Sequence, residues 1–272
     1  MLIRNGIAVW SAREMNLREC YEYVRRIDPD LDIDSFEVAE EVSRLRQFWK
    51  PETVRVVLLA ESHAYTSQKD FVDWEATDSP YHGKFVRFVY CLANGENTLV
   101  SSPVSRNPGT SQFWKILYSC LHKVATKEDF GPLLRSTSTE KRIGKKIELL
   151  HGLRQAGIWL MDGSIVGINR KSPSLRKKIL IRCWNYTYST LQNLNPRPEQ
   201  IVVIGCLVKK ALKNQLDSLG IKCITLPQPQ AHIPASGYFP FYDVYYQICS
   251  PSGTAFDNTA VYPSGLPGSC KE

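Results

Sequence analysis

Four short apolar runs constrain the fold of this chain more than any other feature. Val54-Arg55-Val56-Val57-Leu58-Leu59-Ala60 is rich in β-branched residues and ends in Glu61-Ser62-His63. Gly157–Met161 closes on Asp162, Ile201–Gly205 follows, and Ile221–Leu226 runs into Pro227-Gln228-Pro229. Runs this short and this continuously apolar predict strands buried on both faces, as in the centre of a parallel sheet. Helical patterns accompany them. Ser138–Gln155 lines up Ile143, Ile147, Leu150 and Leu153, and Pro173–Leu194 lines up Leu175, Ile179, Trp184 and Leu191. A shorter helix is expected over Leu207–Leu219. Strands alternating with helices predict an α/β domain around a mostly parallel, four-stranded sheet.

The 272 residues suffice for one domain of moderate size with additions at its ends. Residues 1–50 read as an N-terminal helical extension without evident chemistry. In it Asp34 and Glu37 have capping-box spacing; Phe36, Val42, Leu45, Phe48 and Trp49 follow at helical intervals, and Pro51 ends the element. Residues 51–249 form the α/β domain. Residues 250–272 hold ten Ser, Gly or Pro and read as an irregular tail. No signal-peptide pattern and no membrane-length apolar run is present, so an intracellular location, in cytoplasm, nucleoid or nucleus, is expected. The eight cysteines are scattered without a C-x-x-C pair and read as reduced thiols. No metal or cofactor is expected.

Ligands of open parallel sheets bind beyond the carboxyl ends of the strands. That rule singles out Glu61, Ser62 and His63 after the first run and Asp162 after the second. It adds Gln228, Gln230 and His232 after the last. No G-x-G-x-x-G or Walker A sequence follows any strand, which removes the usual support for dinucleotide and P-loop readings. The formal charge is +7, and it is concentrated. Between Lys141 and Arg182 eleven basic residues, among them Arg170 and Lys171, face only Glu148 and Asp162. Such a window is either a pair of solvated helix faces or a phosphate-binding surface. Aromatic residues near the strand-end loops, Tyr65 among them, are able to stack on bases or to pack the core.

The order of these parts resembles the uracil-DNA glycosylase superfamily over roughly residues 53–240. Ala60-Glu61-Ser62-His63-Ala64 stands where the family has G-[QE]-x-P-[YG]. Ser102-Pro103 to Pro108-Gly109-Thr110-Ser111-Gln112-Phe113-Trp114-Lys115 is similar to its Pro-rich loop and helix. Gly157-Ile158-Trp159-Leu160-Met161-Asp162 resembles the strand that ends in Asn. Pro227-Gln228-Pro229-Gln230-Ala231-His232 resembles the H-P-S-P-like loop. The resemblance implies a three-layer αβα sandwich, a monomer, and a DNA partner whose flipped or damaged base loses its N-glycosidic bond.

The roles the resemblance implies fall on altered residues. Glu61 would position water in place of the family's Asp, where Ser62 stands, and Gln228 would replace the His that steadies the departing base. His63 replaces a Pro and joins Glu61 and Gln228 as a catalytic candidate. Asp162, Ser62 and Tyr65 would bind the base. Because an ionised Asp only accepts hydrogen bonds, Asp162 predicts a preference for a base edge rich in N–H groups. Arg170, Lys171, Gln230 and His232 would hold DNA, His232 in the place of a wedging residue. Two alternatives stay open: a homologue that binds nucleic acid without catalysis, and a hydrolase or transferase of a small nucleotide-like ligand.

Overall fold

The computed structural model describes Ile3–Arg4, Ile7–Ala8 and residues 15–28, 30–76, 80–133, 137–228 and 235–250. The apolar runs become strands β1 (Val56–Ala60), β4 (Ile158–Asp162), β5 (Gln200–Ile204) and β6 (Lys222–Leu226). They form one all-parallel sheet in the order β4-β1-β5-β6. Every residue of β1 and of the edge strand β4 is buried, as expected of strands covered on both faces. The register sets Ala60 beside Asp162 and Leu59 beside Val203, so the first two chemistry-bearing strand ends are neighbours. Between β1 and β4 lies a small antiparallel ladder of β2 (Asp73–Glu75) and β3 (His82–Lys84).

Helices flank the sheet in two packing groups. Helix α5 (Pro173–Gln192) packs against α1 (Leu17–Arg25) and α6 (Cys206–Asp217), and α1 also meets α2 (Phe36–Phe48). Helix α3 (Ser111–Ser119) packs against α4 (Thr139–Gln155) and α7 (Ala235–Cys249). Helix α5 starts where its sequence says it should. Ser172 is the N-cap, its hydroxyl accepting from Leu175 N, and Pro173 occupies the first helical position. Helix α7, with buried Phe241, Tyr242 and Tyr245, has no counterpart among the helical patterns read from sequence. No helix among the described residues is long and apolar enough to cross a membrane.

Three sequence expectations change. Helix α2 begins at Phe36 behind Ser35, so Asp34 is no capping residue; its carboxylate is buried elsewhere. Among the described residues six cysteines are free, but Cys206 is disulfide-bonded, unlike the reduced thiols expected. The basic window is not one free cationic surface. Arg142 and Lys146 are buried on Glu96, the latter at 2.6 Å, Lys145 pairs with Glu148, and Lys171 lies 3.4 Å from Asp32. Counting charge along the chain misses these partners because Glu96 lies 46 and 50 residues upstream.

Candidate functional site

A cavity of about 510 Å³ opens at the carboxyl edge of the sheet. The connections leaving β1 and β5 diverge to opposite sides there, the position at which open α/β sheets form a crevice. Glu61, Ser62, His63, Asp162 and Gln228 all line it, and so do Arg87, Asn169 and Arg176. The far wall is the start of α3. Its N-cap Thr110 makes no side-chain cap bond, and Thr110, Ser111 and Gln112 line the cavity. First-turn N–H groups of this kind suit a negatively charged or carbonyl-bearing ligand.

Below the cavity lies a buried knot of four ionisable side chains. His63 Nε2 is 3.0 Å from Asp34 Oδ2, and its Nδ1 is 3.6 Å from Asp162 Oδ2, beyond hydrogen-bond reach. Asp162 Oδ2 accepts from Arg46 Nη2 at 3.0 Å. Asp34 is further fixed by Thr66 N at 2.6 Å and by Gly167 N. A Cβ at Gly167 would stand 2.5 Å from Tyr65 N, so only glycine allows this approach. All four side chains are at most 5% exposed, and two carboxylates face one guanidinium and one imidazole. Asp162 Oδ2 is therefore not free to read a base: it accepts from Arg46 and has His63 Nδ1 3.6 Å away.

The charge state of His63 follows from the same contacts. Burial, the largest single influence, works to lower its pKa, but the carboxylates of Asp162 and Asp34 together outweigh it and hold the ring protonated up to about 9. A folded value above the unfolded one of about 6.5 stabilises fully below that lower value. The stabilisation is lost as pH rises through about 9. Urea unfolding should show the protein losing roughly 3 kcal/mol between pH 6 and pH 10 beyond the loss of a His63→Gln variant.

The second cluster lies at the mouth. Arg176 grips Glu61 with Nε on Oε1 and Nη2 on Oε2, and Gln228 Nε2 donates to Glu61 Oε2 at 3.1 Å. Gly205, at φ +109°, leaves room for the Gln228 side chain, which a Cβ there would approach to 3.0 Å. Three donors on one carboxylate occupy much of its hydrogen-bond accepting capacity. Ser62 Oγ is engaged by Ile168 N at 3.3 Å.

Sequence reasoning thus brings five of its candidates into one cavity. Tyr65, Arg170 and Lys171 lie outside its lining. Tyr65 adjoins it through a bond from its N–H to the Asn169 side chain, and Arg170 stacks over the Tyr65 ring. Gln230 and His232 lie outside the described residues. The residues missed were Asp34, Arg46, Arg87 and Asn169. One signal was available: Arg46 interrupts the apolar face of α2 between Leu45 and Trp49, where a cation requires a buried partner. No family model matches the chain, and no curated protein matches it.

Proposed function

We propose that the cavity receives a nucleobase of DNA, and that the chain is a divergent uracil-DNA glycosylase-like protein built as a three-layer αβα sandwich. The observation that carries this reading is the convergence of three strand ends, with Glu61, Asp162 and Gln228, on one cavity of about 510 Å³. That volume lies in the ordinary range for small-ligand sites, roughly 300–1,000 Å³. The parallel order β4-β1-β5-β6 and the crevice beside β1 support it too. The first turn of α3 brings donors to the cavity wall, which favours carbonyl or phosphate oxygens over the N–H-rich edge that a free Asp162 would select.

The leading form of this reading is binding without hydrolysis. Each carboxylate of the cavity is held in an ion pair, Asp162 by Arg46 and Glu61 by Arg176. Carboxylate oxygens engaged in this way have fewer acceptor sites left for a water. A second reading, hydrolysis of the N-glycosidic bond, is favoured by Glu61 alone, since a carboxylate lining the cavity has acceptor lone pairs with which to orient water. The test is incubation with oligonucleotides carrying different damaged bases, followed by alkaline cleavage at abasic sites. The binding reading expects saturable, salt-dependent association and no cleavage product. An abasic product that disappears in Glu61→Gln would establish hydrolysis instead. Absence of salt-dependent DNA affinity would turn the reading toward a small nucleotide-like ligand.

A further inference from the structure

Next to the cavity mouth, a second constellation is left without a task. The Arg170 guanidinium carbon sits 4.9 Å from the centroid of the Tyr65 ring, a cation–π stack at the surface. The stack is joined to the cavity on both sides. Tyr65 follows Ala64 and donates its N–H to the Asn169 side chain at 3.1 Å, and Ala64 and Asn169 both line the cavity. Arg170 is exposed, and among the described residues neither it nor Lys177 nor Lys178 forms an ion pair. Those lysines lie in α5 directly after Arg176, whose guanidinium lines the cavity, and the first turn of α5 holds no acidic residue. A planar aromatic–guanidinium stack thus adjoins the cavity, and further exposed cations follow on α5.

We infer that this surface binds single-stranded DNA, with a nucleotide flanking the one in the cavity stacked on the Arg170–Tyr65 pair. The inference rests on the base-binding reading of the cavity and names its partner more narrowly. Stacking on an aromatic or guanidinium plane needs a base whose face is open. Single strands offer such faces at once, whereas a duplex must first unstack. Cations without protein partners supply the salt-dependent attraction to the backbone. Lys171, 3.4 Å from Asp32, is partly neutralised and contributes less.

The experiment is fluorescence anisotropy with the full chain and a labelled single-stranded DNA of about 16 nucleotides, its duplex, and RNA of the same sequence. Tyr65→Ala, Tyr65→Phe, Arg170→Ala and Ser111→Trp are compared with the unaltered protein. Ser111 is exposed and lines the cavity, so tryptophan there obstructs the cavity without disturbing the core. Single-stranded DNA should bind about ten-fold more tightly than duplex, and Tyr65→Ala and Arg170→Ala should each weaken it about ten-fold. Tyr65→Phe, which keeps the ring, should bind as the unaltered protein does. Equal or tighter duplex binding, unchanged affinity in both alanine variants, or tighter binding of RNA would overturn the inference. Ser111→Trp separates it from the reading beneath. If that variant binds normally while both alanine variants are impaired, the stacking surface stands and the base-in-cavity reading fails. If it alone is impaired, the cavity stands and the stacking surface fails.

Discussion

Arg46→Met should lower the unfolding free energy by about 3–5 kcal/mol, read from urea-induced unfolding at pH 7. The Arg46 and Asp162 side chains are 5% and 2% exposed. Removing the guanidinium leaves the Asp162 carboxylate, 2% exposed, with the 3.6 Å contact to His63 Nδ1 as its remaining charge partner. Most of the loss comes from that stranded charge and not from the bond itself. A double variant, Arg46→Met with Asp162→Asn, should therefore be more stable than Arg46→Met alone. A single variant within 1 kcal/mol of the unaltered protein would mean that the pair is not dehydrated as described.

Glu96→Gln should produce a loss of similar size, about 3 kcal/mol, because one carboxylate serves two buried cations. Arg142 meets both of its oxygens and Lys146 Nζ lies 2.6 Å from Oε1, with all three side chains at most 10% exposed. The loss has a pH dependence of definite sign. Burial already holds the Lys146 ammonium below its ordinary pKa against the pull of Glu96. Without Glu96 that value falls further, and the folded state must then shed a proton or bury a lone charge. Destabilisation should grow as pH falls from 9 to 6, measured by urea unfolding of the variant against the unaltered protein.

The sheet was legible because central parallel strands advertise themselves: a run such as Val56–Ala60 admits little but a strand buried on both faces. The strand-end residues followed from the same pattern. Their partners did not. Arg46 meets Asp162 across 116 residues, and Arg176 meets Glu61 across 115. No local spacing encodes such pairings. Asp34 was misread because Asp and Glu three apart suit a helix cap equally well, and what distinguishes the two is burial against His63. Helix α7 was hidden by Pro240 within it, a residue that argues against a helix interior on local grounds.

The knot beneath the cavity also limits how this sequence is able to change. Asp34, Arg46, His63 and Asp162 come from α2 and its approach and from two adjacent strand ends, and their charges cancel within a closed space. Replacing any one by a neutral residue leaves an unbalanced charge sealed inside, whereas exchanging an acid and a base together does not. The four positions are therefore coupled energetically, so a neutral substitution at one is better tolerated beside a neutral substitution at its partner. The stretch from Asp34 to Arg46 is thereby tied to the sheet by charge balance as well as by packing.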